Sequence, residues 1–505
     1  VSEIAGAASV LLARAPGSPE VFVVRRSERL KFFGGFFAFP GGKVAPADAS
    51  VTTHTSAADG QLALRRVTAA RELFEETGVL VARHSDGTFP PAGAALDRLR
   101  RDMVVNGLPF AEVLKVLGLS VSDEDFVFVG GLTTPAFTPT RFDTSFFVAQ
   151  LPGGQQAEVW PGELDEGFWT TAAALLKRWV CGECLVSPPT LLLLESIRER
   201  PVRDAPARFS ADVQPRHSED LPIIYFAPAV QMIPLKTNAL PPTTHSNAFL
   251  VGESPAYLLD PGPAEAAEQQ RLFDLLDREL AGGKRLAAVV LTHQHPDHIG
   301  AASASASRYR VPIWAHALTA RALAGKVQIH RELSDGTRLD LGGAPDGSGP
   351  WHLEVIHTPG HAAGHLAFFE PHYRLLFGGD MVSTLTSIIV APPEGDLTAY
   401  LDSLERLRQL PTRVLLPGHG SPSARADQLL AESIAHRRRR EDQLRAALGP
   451  RPRTLDDLTG ELYKGLPTEL MRFARLQVLA GLEKLQRERQ VIAEGDGASR
   501  GWQLG

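Results

Sequence analysis

Residues 291–300 read LTHQHPDHIG and follow directly on the apolar run Ala287–Leu291. His293, His295, Asp297 and His298 crowd into six positions there. A buried strand over the apolar run would deliver Thr292 and His293 to its carboxyl end, where the sites of α/β proteins gather. Pro296 stops the strand, and DHIGAASAS can begin a helix, so a tight turn brings several donors inward. Imidazole with carboxylate suits zinc, manganese or iron and leaves a position for water. The competing reading is a polar loop that happens to hold three histidines. Against it, further donors follow later apolar runs: His361 in HTPGHAAGH, Asp380 in LLFGGD and His419 in LLPGHG. With only 16 histidines in 505 residues, so many well-placed donors argue for a site. His357 and His365 are expected to support or pack.

The length of 505 residues predicts two to four domains. A net charge of −6 gives no bulk electrostatic argument for nucleic acid. Two cysteines, Cys181 and Cys184 in CGEC, exclude a disulfide framework and cannot complete a four-thiolate site. No apolar stretch reaches membrane-spanning length, the start lacks a secretory pattern, and WQLG is no peroxisomal address, so a cytoplasmic enzyme is expected. Strand and helix patterns over 1–200 give way to a proline- and charge-rich connector over 201–228. Within the first part, DEGFWTTAAALLKRWV reads as helix. Alternating α/β material fills 229–425, and 426–505 turns helical, with Leu470, Phe473, Leu476 and Leu479 needing a partner surface.

The five separated motifs over 230–425 resemble the metallo-β-lactamase superfamily. The resemblance implies an αββα sandwich in which His293, His295 and His361 hold one metal, Asp297, His298 and His419 hold another, and Asp380 bridges them. Two zinc ions, or manganese or iron, are then expected, with Asp297 as the catalytic residue that orients or deprotonates the nucleophile. APPEGDLTAYLDSLERLRQLPTRVLLPGHGSP, HRRRREDQLRAAL and LTGELYKGLP resemble the β-lactamase-like endoribonuclease group with its C-terminal winged helix. Arg437, Arg438, Arg439 and Arg440 are either phosphate contacts, to single-stranded RNA for instance, or a solvated helix face.

A second constellation lies upstream, in FPGGKVAPADAS and LALRRVTAARELFEETGVLV. Glu72, Glu75 and Glu76 share one helical face, a cluster that suits magnesium or manganese. The alternative is an ordinary solvated acidic face. The arrangement resembles the Nudix box, which implies an α/β/α sandwich, metal binding by Glu72, Glu75 and Glu76, and a catalytic role for Glu72. Gly41, Gly42, Asp48, Arg71 and Gly78 would support them. Asp48 stands where the family has glutamate, and 22 residues rather than seven separate it from Arg71. RRSERLKFFGGFFAFPGG and TPTRFDTSFFVA look most like coenzyme A diphosphatases, in which Arg25, Arg26 and Lys31 would meet a substrate phosphate.

The expected protein is a bifunctional metal-dependent hydrolase. One half would cleave a diphosphate-linked nucleotide or coenzyme A-type substrate, the other a phosphodiester or ester. One alternative makes the second half an acyl thioesterase of coenzyme A metabolism. Another is an interaction protein with a degenerate first domain. Oligomeric state is left open.

Overall fold

The computed structural model describes residues 4–30, 33–51, 53–54, 60–138, 140–213, 224–495 and 500–505. Two compact units divide the chain, Val1–Pro228 and Ala229–Gly505.

In the first unit, a mixed sheet orders its strands Leu185–Val186, Phe36–Ala38, Glu20–Arg26, Ala5–Ala13, Phe142–Gln150 and Val127–Thr133. Gly41–Lys43 joins Ala5–Ala13, and Leu164–Thr171 joins Glu20–Arg26. Side-chain alternation splits the sheet's neighbours between two cores. Phe22 and Val24 meet Val67, Ala70, Leu73 and Phe74 of the helix Gly60–Thr77. Val21 and Val23 meet Leu175, Leu176 and Trp179 of Ala172–Val180 and the leucines of Pro188–Ser196. Helices thus cover both faces.

Two sequence expectations are corrected here. DEGFWTTAAALLKRWV is not all helix: its β-favouring first half belongs to the strand Leu164–Thr171, and helix begins at Ala172. The connector expected over 201–228 is not all surface either. Val202–Asp204, Ala205–Arg208 and Phe209–Val213 form short helical turns, and Val202, Ala205, Phe209 and Val213 are buried in the second core. Residues 214–223 lie outside the description. Phe209 sits so close to Gly130 that a Cβ there would lie 2.1 Å from its ring. Phe209→Ala should therefore cost about 3–5 kcal/mol of first-unit stability, the range for emptying a phenylalanine site. Chemical denaturation of the two proteins measures it, and a difference within about 0.5 kcal/mol, typical of surface sites, would return the segment to the surface.

The second unit is an αββα sandwich. One sheet runs Val230–Lys236, His245–Gly252, Ala256–Leu259, Leu286–Val290, Ile313–His316 and Arg331–Leu333, and is parallel from Ala256 onward. The other runs Arg338–Gly343, Pro350–His357, Leu366–Glu370, Leu375–Gly379 and Val414–Pro417. Their inner faces meet where Phe249 stands edge-on to Phe377, ring centroids 5.2 Å apart. Ala266–Ala281 and Ala302–Tyr309 pack on the first sheet. Tyr400, Leu404, Leu407, Leu430 and Ile434, from Leu397–Arg408 and Ala426–Ala447, cover the second.

A tail follows, with helices Leu455–Leu462 and Thr468–Arg487 and a small sheet of Arg453–Thr454, Val491–Glu494 and Gly501–Leu504. Its core joins Leu444, Leu458, Val478, Leu482, Leu485 and Trp502. Of the expected stripe Leu470, Phe473, Leu476 and Leu479, Leu479 packs against this core, half-buried, while the fully buried face of the helix lies beside the other three. Ala474, Val478, Ala480, Leu482 and Leu485 are the buried face, and Ala480 packs on the sandwich.

Candidate metal centre

Strand Leu286–Val290 lies between parallel neighbours and ends by placing Thr292 and His293 at the carboxyl edge of the sheet. Pro296 opens the short helix Pro296–Ile299, which turns Asp297 and His298 back toward His293. Asp260, at the end of the adjoining strand, anchors this turn. It accepts hydrogen bonds from the Thr292 amide (2.7 Å) and hydroxyl (2.6 Å).

The donors gather into two overlapping sets. In the first, His295 Nδ1 lies 2.9 Å from both His293 Nε2 and His361 Nε2, and Asp380 Oδ2 lies 3.6 Å from His361 Nε2. In the second, Asp297 Oδ2 lies 3.3 Å from His419 Nε2 and 3.8 Å from His298 Nε2. Asp380 Oδ1 lies 3.3 Å from His419 Nε2 and 3.4 Å from His298 Nε2. The ligand atoms of His293, His295, His361 and Asp380 all fall within 4.8 Å of one another, as do those of Asp297, His298 and His419. A tetrahedral ion with bonds of about 2.0–2.1 Å separates its donors by about 3.3 Å, so both sets match one ion in size. Asp380 turns one oxygen to each set. His298 Nε2 and Asp380 Oδ1 are moreover buried without a hydrogen-bond partner, a costly condition that a shared cation would relieve. The residues fit two metals.

Four of the five ring histidines have their remaining nitrogen tied down, as metal-ligating imidazoles require. His298 Nδ1 meets Asp260 (2.9 Å), His361 Nδ1 the Ile389 carbonyl (2.7 Å), His419 Nδ1 the His245 carbonyl (3.0 Å) and His293 Nδ1 the Thr292 hydroxyl (2.8 Å). His295 Nε2 lies 3.3 Å from Glu394. His365 supports from behind. Its Nε2 accepts from the Asp380 amide (3.1 Å), and at Gly379 (φ +48) a Cβ would stand 2.6 Å from that nitrogen. Asn247 donates to the carbonyls of Pro417 (2.9 Å) and Gly420 (2.8 Å), fixing the turn that carries His419.

Charges within the cluster are sorted. Burial, then the neighbouring histidines, holds His293 well below the usual histidine range, and burial holds His361 at about 4. Burial opposes protonation of His419, yet Asp380 and Asp297 push it up to about 10. His298 is likewise held well above its ordinary value against burial, by Asp380, Asp297 and Asp260. The carboxylates thus favour protonated His298 and His419 while no cation is present, and metal binding must release those protons.

Asp260, Asn247 and Glu394 were not singled out from the sequence. The available signal for Asp260 was a lone carboxylate closing the apolar run AYLLD; a lone amide or glutamate gives none. The arginine run is corrected. Arg437 is buried and hydrogen-bonds to the Ile388 carbonyl and to Gln477, so it cannot touch phosphate. Arg438 pairs with Glu405 (3.0 Å), Arg440 lies over the Tyr463 ring, and Arg439 is exposed.

In the first unit, Asp48 reaches Arg71 across the long insertion. It is buried, accepting from Arg71 Nε (2.7 Å), Arg71 Nη2 (3.1 Å) and the Thr68 hydroxyl (2.8 Å). Arg71 Nη1 then forks between Glu72 (2.9 Å) and Glu75 (3.0 Å). Glu76 accepts from the Gly41 amide (2.8 Å). A Cβ at Gly42 would fall 2.4 Å from the Glu72 carboxylate, and one at Gly41 (φ +153) 2.2 Å from the Ala8 carbonyl. Only glycine allows that approach. Gly78 (φ +75) ends the helix, where Arg100, also not anticipated, donates to the carbonyls of Glu75 and Glu76.

Desolvation raises Glu72 to about 7, and desolvation with Glu72 nearby raises Glu76 to about 8. Such carboxylates welcome a cation, although the three do not close into a compact cage. Among the described residues, the ligand groups of that kind all belong to the second unit. Magnesium commonly takes one or two carboxylates and completes its shell with water and substrate phosphate, which this open arrangement allows. Arg25 is engaged by Glu28 and Glu166, whereas Arg26 faces Glu76 electrostatically. Lys31 lies outside the described residues.

Comparison with known proteins agrees with the second unit's geometry. Residues 241–419 match the Metallo-beta-lactamase superfamily model, and residues 454–502 match the Beta-lactamase associated winged helix domain. Lactamase-like protein adaB of Aspergillus niger is 28% identical over 272 residues, 51% of this chain and 80% of that protein. An atrochrysone carboxyl ACP thioesterase of Aspergillus fumigatus is 26% identical over 276 residues, 51% of this chain and 81% of that one. A crystal structure of a NUDIX hydrolase from Alicyclobacillus acidocaldarius aligns at 31% identity and TM-score 0.36, covering 39% of this chain and 92% of that chain. The chain thus carries a metallo-β-lactamase superfamily domain followed by a winged-helix domain.

Proposed function

We propose that the second unit is a two-metal hydrolase of ester or thioester bonds, and that the first is a Nudix-type diphosphatase. The observation that carries the first half is Asp380, whose two carboxylate oxygens each face a separate ligand set. Two divalent cations there would lower the pKa of water and polarise the bond under attack. The chain's own residues supply the rest. Asp297, held toward His419 and accepting from the Ser246 hydroxyl (3.3 Å), is the carboxylate positioned to accept a proton. His361 and His419, their Nδ1 atoms fixed on carbonyls, present Nε2 as ligand.

Acyl thioesters are favoured over RNA by what has become of the arginine run. Arg437 is internal, Arg438 is paired with Glu405 and Arg440 is stacked on Tyr463, so the run does not present four free cations to a phosphate backbone. The thioesterase named among the relatives supports the same choice. In the first unit, magnesium or manganese would sit by Glu72, Glu75 and Glu76, with Arg26 turned toward a substrate phosphate. A coenzyme A derivative offers both bonds at once, a diphosphate and a thioester, so one compound class would serve both units.

Purified protein with zinc or manganese, and separately with magnesium, would be assayed on acyl-coenzyme A, coenzyme A, nucleoside diphosphate derivatives and short single-stranded RNA. Thioester cleavage lost in His361→Ala but kept in Glu76→Gln, with the converse for diphosphate cleavage, is the expected pattern. Turnover of RNA alone would overturn the thioester reading.

A further inference from the structure

The segment Ile388–Val390 belongs to no helix or strand, yet it touches the metal centre. Its middle carbonyl, on Ile389, accepts from His361 Nδ1 at 2.7 Å. A carbonyl can only accept, so Nδ1 carries the proton and Nε2 keeps its lone pair for metal. The carbonyls on either side are taken by side chains of the C-terminal helices. Arg437, from Ala426–Ala447, donates to the Ile388 carbonyl, and Gln477, from Thr468–Arg487, donates to the Val390 carbonyl at 3.0 Å. Arg437 also donates to the Gln477 amide oxygen, which fixes which end of that amide faces Val390. Outside regular structure, those two backbone acceptors depend on these donors.

Beyond Val390 the same loop reaches the centre again. Glu394 lies 3.3 Å from His295 and hydrogen-bonds to Gln294, and two residues later Asp396 is gripped by Arg487 of the tail helix. Arg437 rests 5.3 Å from the ring of Tyr400, whose hydroxyl donates to the carbonyl of Met381, next to Asp380. Contacts from the C-terminal helices thus alternate along one loop with contacts to the metal-ligating histidines.

We propose that the C-terminal helices act as a brace for the metal centre, with Arg437 and Gln477 as positioning residues that orient His361 through Ile388–Val390. The tail's task is then to hold one ligand set in geometry, besides any part it takes in substrate binding. This inference rests on the reading of the histidine–aspartate cluster as a metal centre.

The test titrates cobalt(II) alone into the full chain carrying His419→Ala, which leaves the His293, His295 and His361 set intact. Visible absorption reports affinity and coordination together. Adding Gln477→Leu should weaken cobalt about 10–100-fold, as loss of a partner behind a ligating histidine does, and should shift the absorption bands. In a His361→Ala background, which keeps the Asp297, His298 and His419 set, the same change should leave affinity unaltered. Equal weakening in both backgrounds, or none in the first, overturns the brace. Should Gln477→Leu not fold, Gln477→Glu poses the same question, because it keeps the pairing with Arg437 and turns a carboxylate on the Val390 carbonyl. A His419→Ala parent that binds no cobalt would overturn the metal-centre reading, and the brace with it.

Discussion

Asp380→Ala is expected to lower bound divalent metal from about two ions per chain to one or fewer, and to cut hydrolysis by the second unit at least about a thousandfold. Asp380 contributes an oxygen to each ligand set, so its loss removes one donor from both sites and the carboxylate they share. Charge stabilisation by a correctly held metal is worth several kcal/mol, and about 4 kcal/mol is about a factor of a thousand in rate. Asp380→Asn is the control for size. It keeps one oxygen acceptor, so one set should still load while the second ion is lost. Metal analysis after saturation and dialysis gives the stoichiometry, and circular dichroism confirms folding. Two ions retained by folded Asp380→Ala would remove the bridging role.

The sequence exposed this centre unevenly, for physical reasons. His293, His295, Asp297 and His298 were legible because one tight turn carries them, so spacing alone reports their convergence. His361, Asp380 and His419 were legible because each follows an apolar run that could only be a buried strand. Asn247 was not, since its partners lie 170 and 173 residues away and are set by the packing of two sheets. Arg437 shows a different limit. Four consecutive arginines point about 100° apart around a helix, and the run itself does not say which one turns inward. The buried stripe Ile434, Arg437, Glu441 and Leu444 decides it. In the connector, prolines and charges masked Val202, Ala205, Phe209 and Val213, whose spacings of three and four residues were a helical stripe all along.

Glu76→Gln should do two opposite things to the first unit. Glu76 lies deep among protein atoms yet still touched by solvent, and desolvation together with the nearby Glu72 raises it from its ordinary 4.5 to about 8. A raised carboxylate means that the folded state holds a proton the unfolded chain has released. Stability without metal is therefore full below about pH 4.5 and declines as pH rises toward about 8. Glutamine keeps the hydrogen bond from the Gly41 amide and carries no charge, so it should flatten that decline and raise the metal-free melting temperature at neutral pH. The same substitution removes a charge from the carboxylate cluster that a magnesium ion would need. If the first unit is the proposed diphosphatase, its diphosphate cleavage should fall by about two to three orders of magnitude, the usual loss for one key electrostatic contact, while hydrolysis by the second unit stays as it was. Melting curves across pH without metal, set beside magnesium-dependent turnover, separate the two effects. Higher stability with unchanged turnover would mean that Glu76 is only a strained packing residue, and the diphosphatase reading would lose its strongest carboxylate.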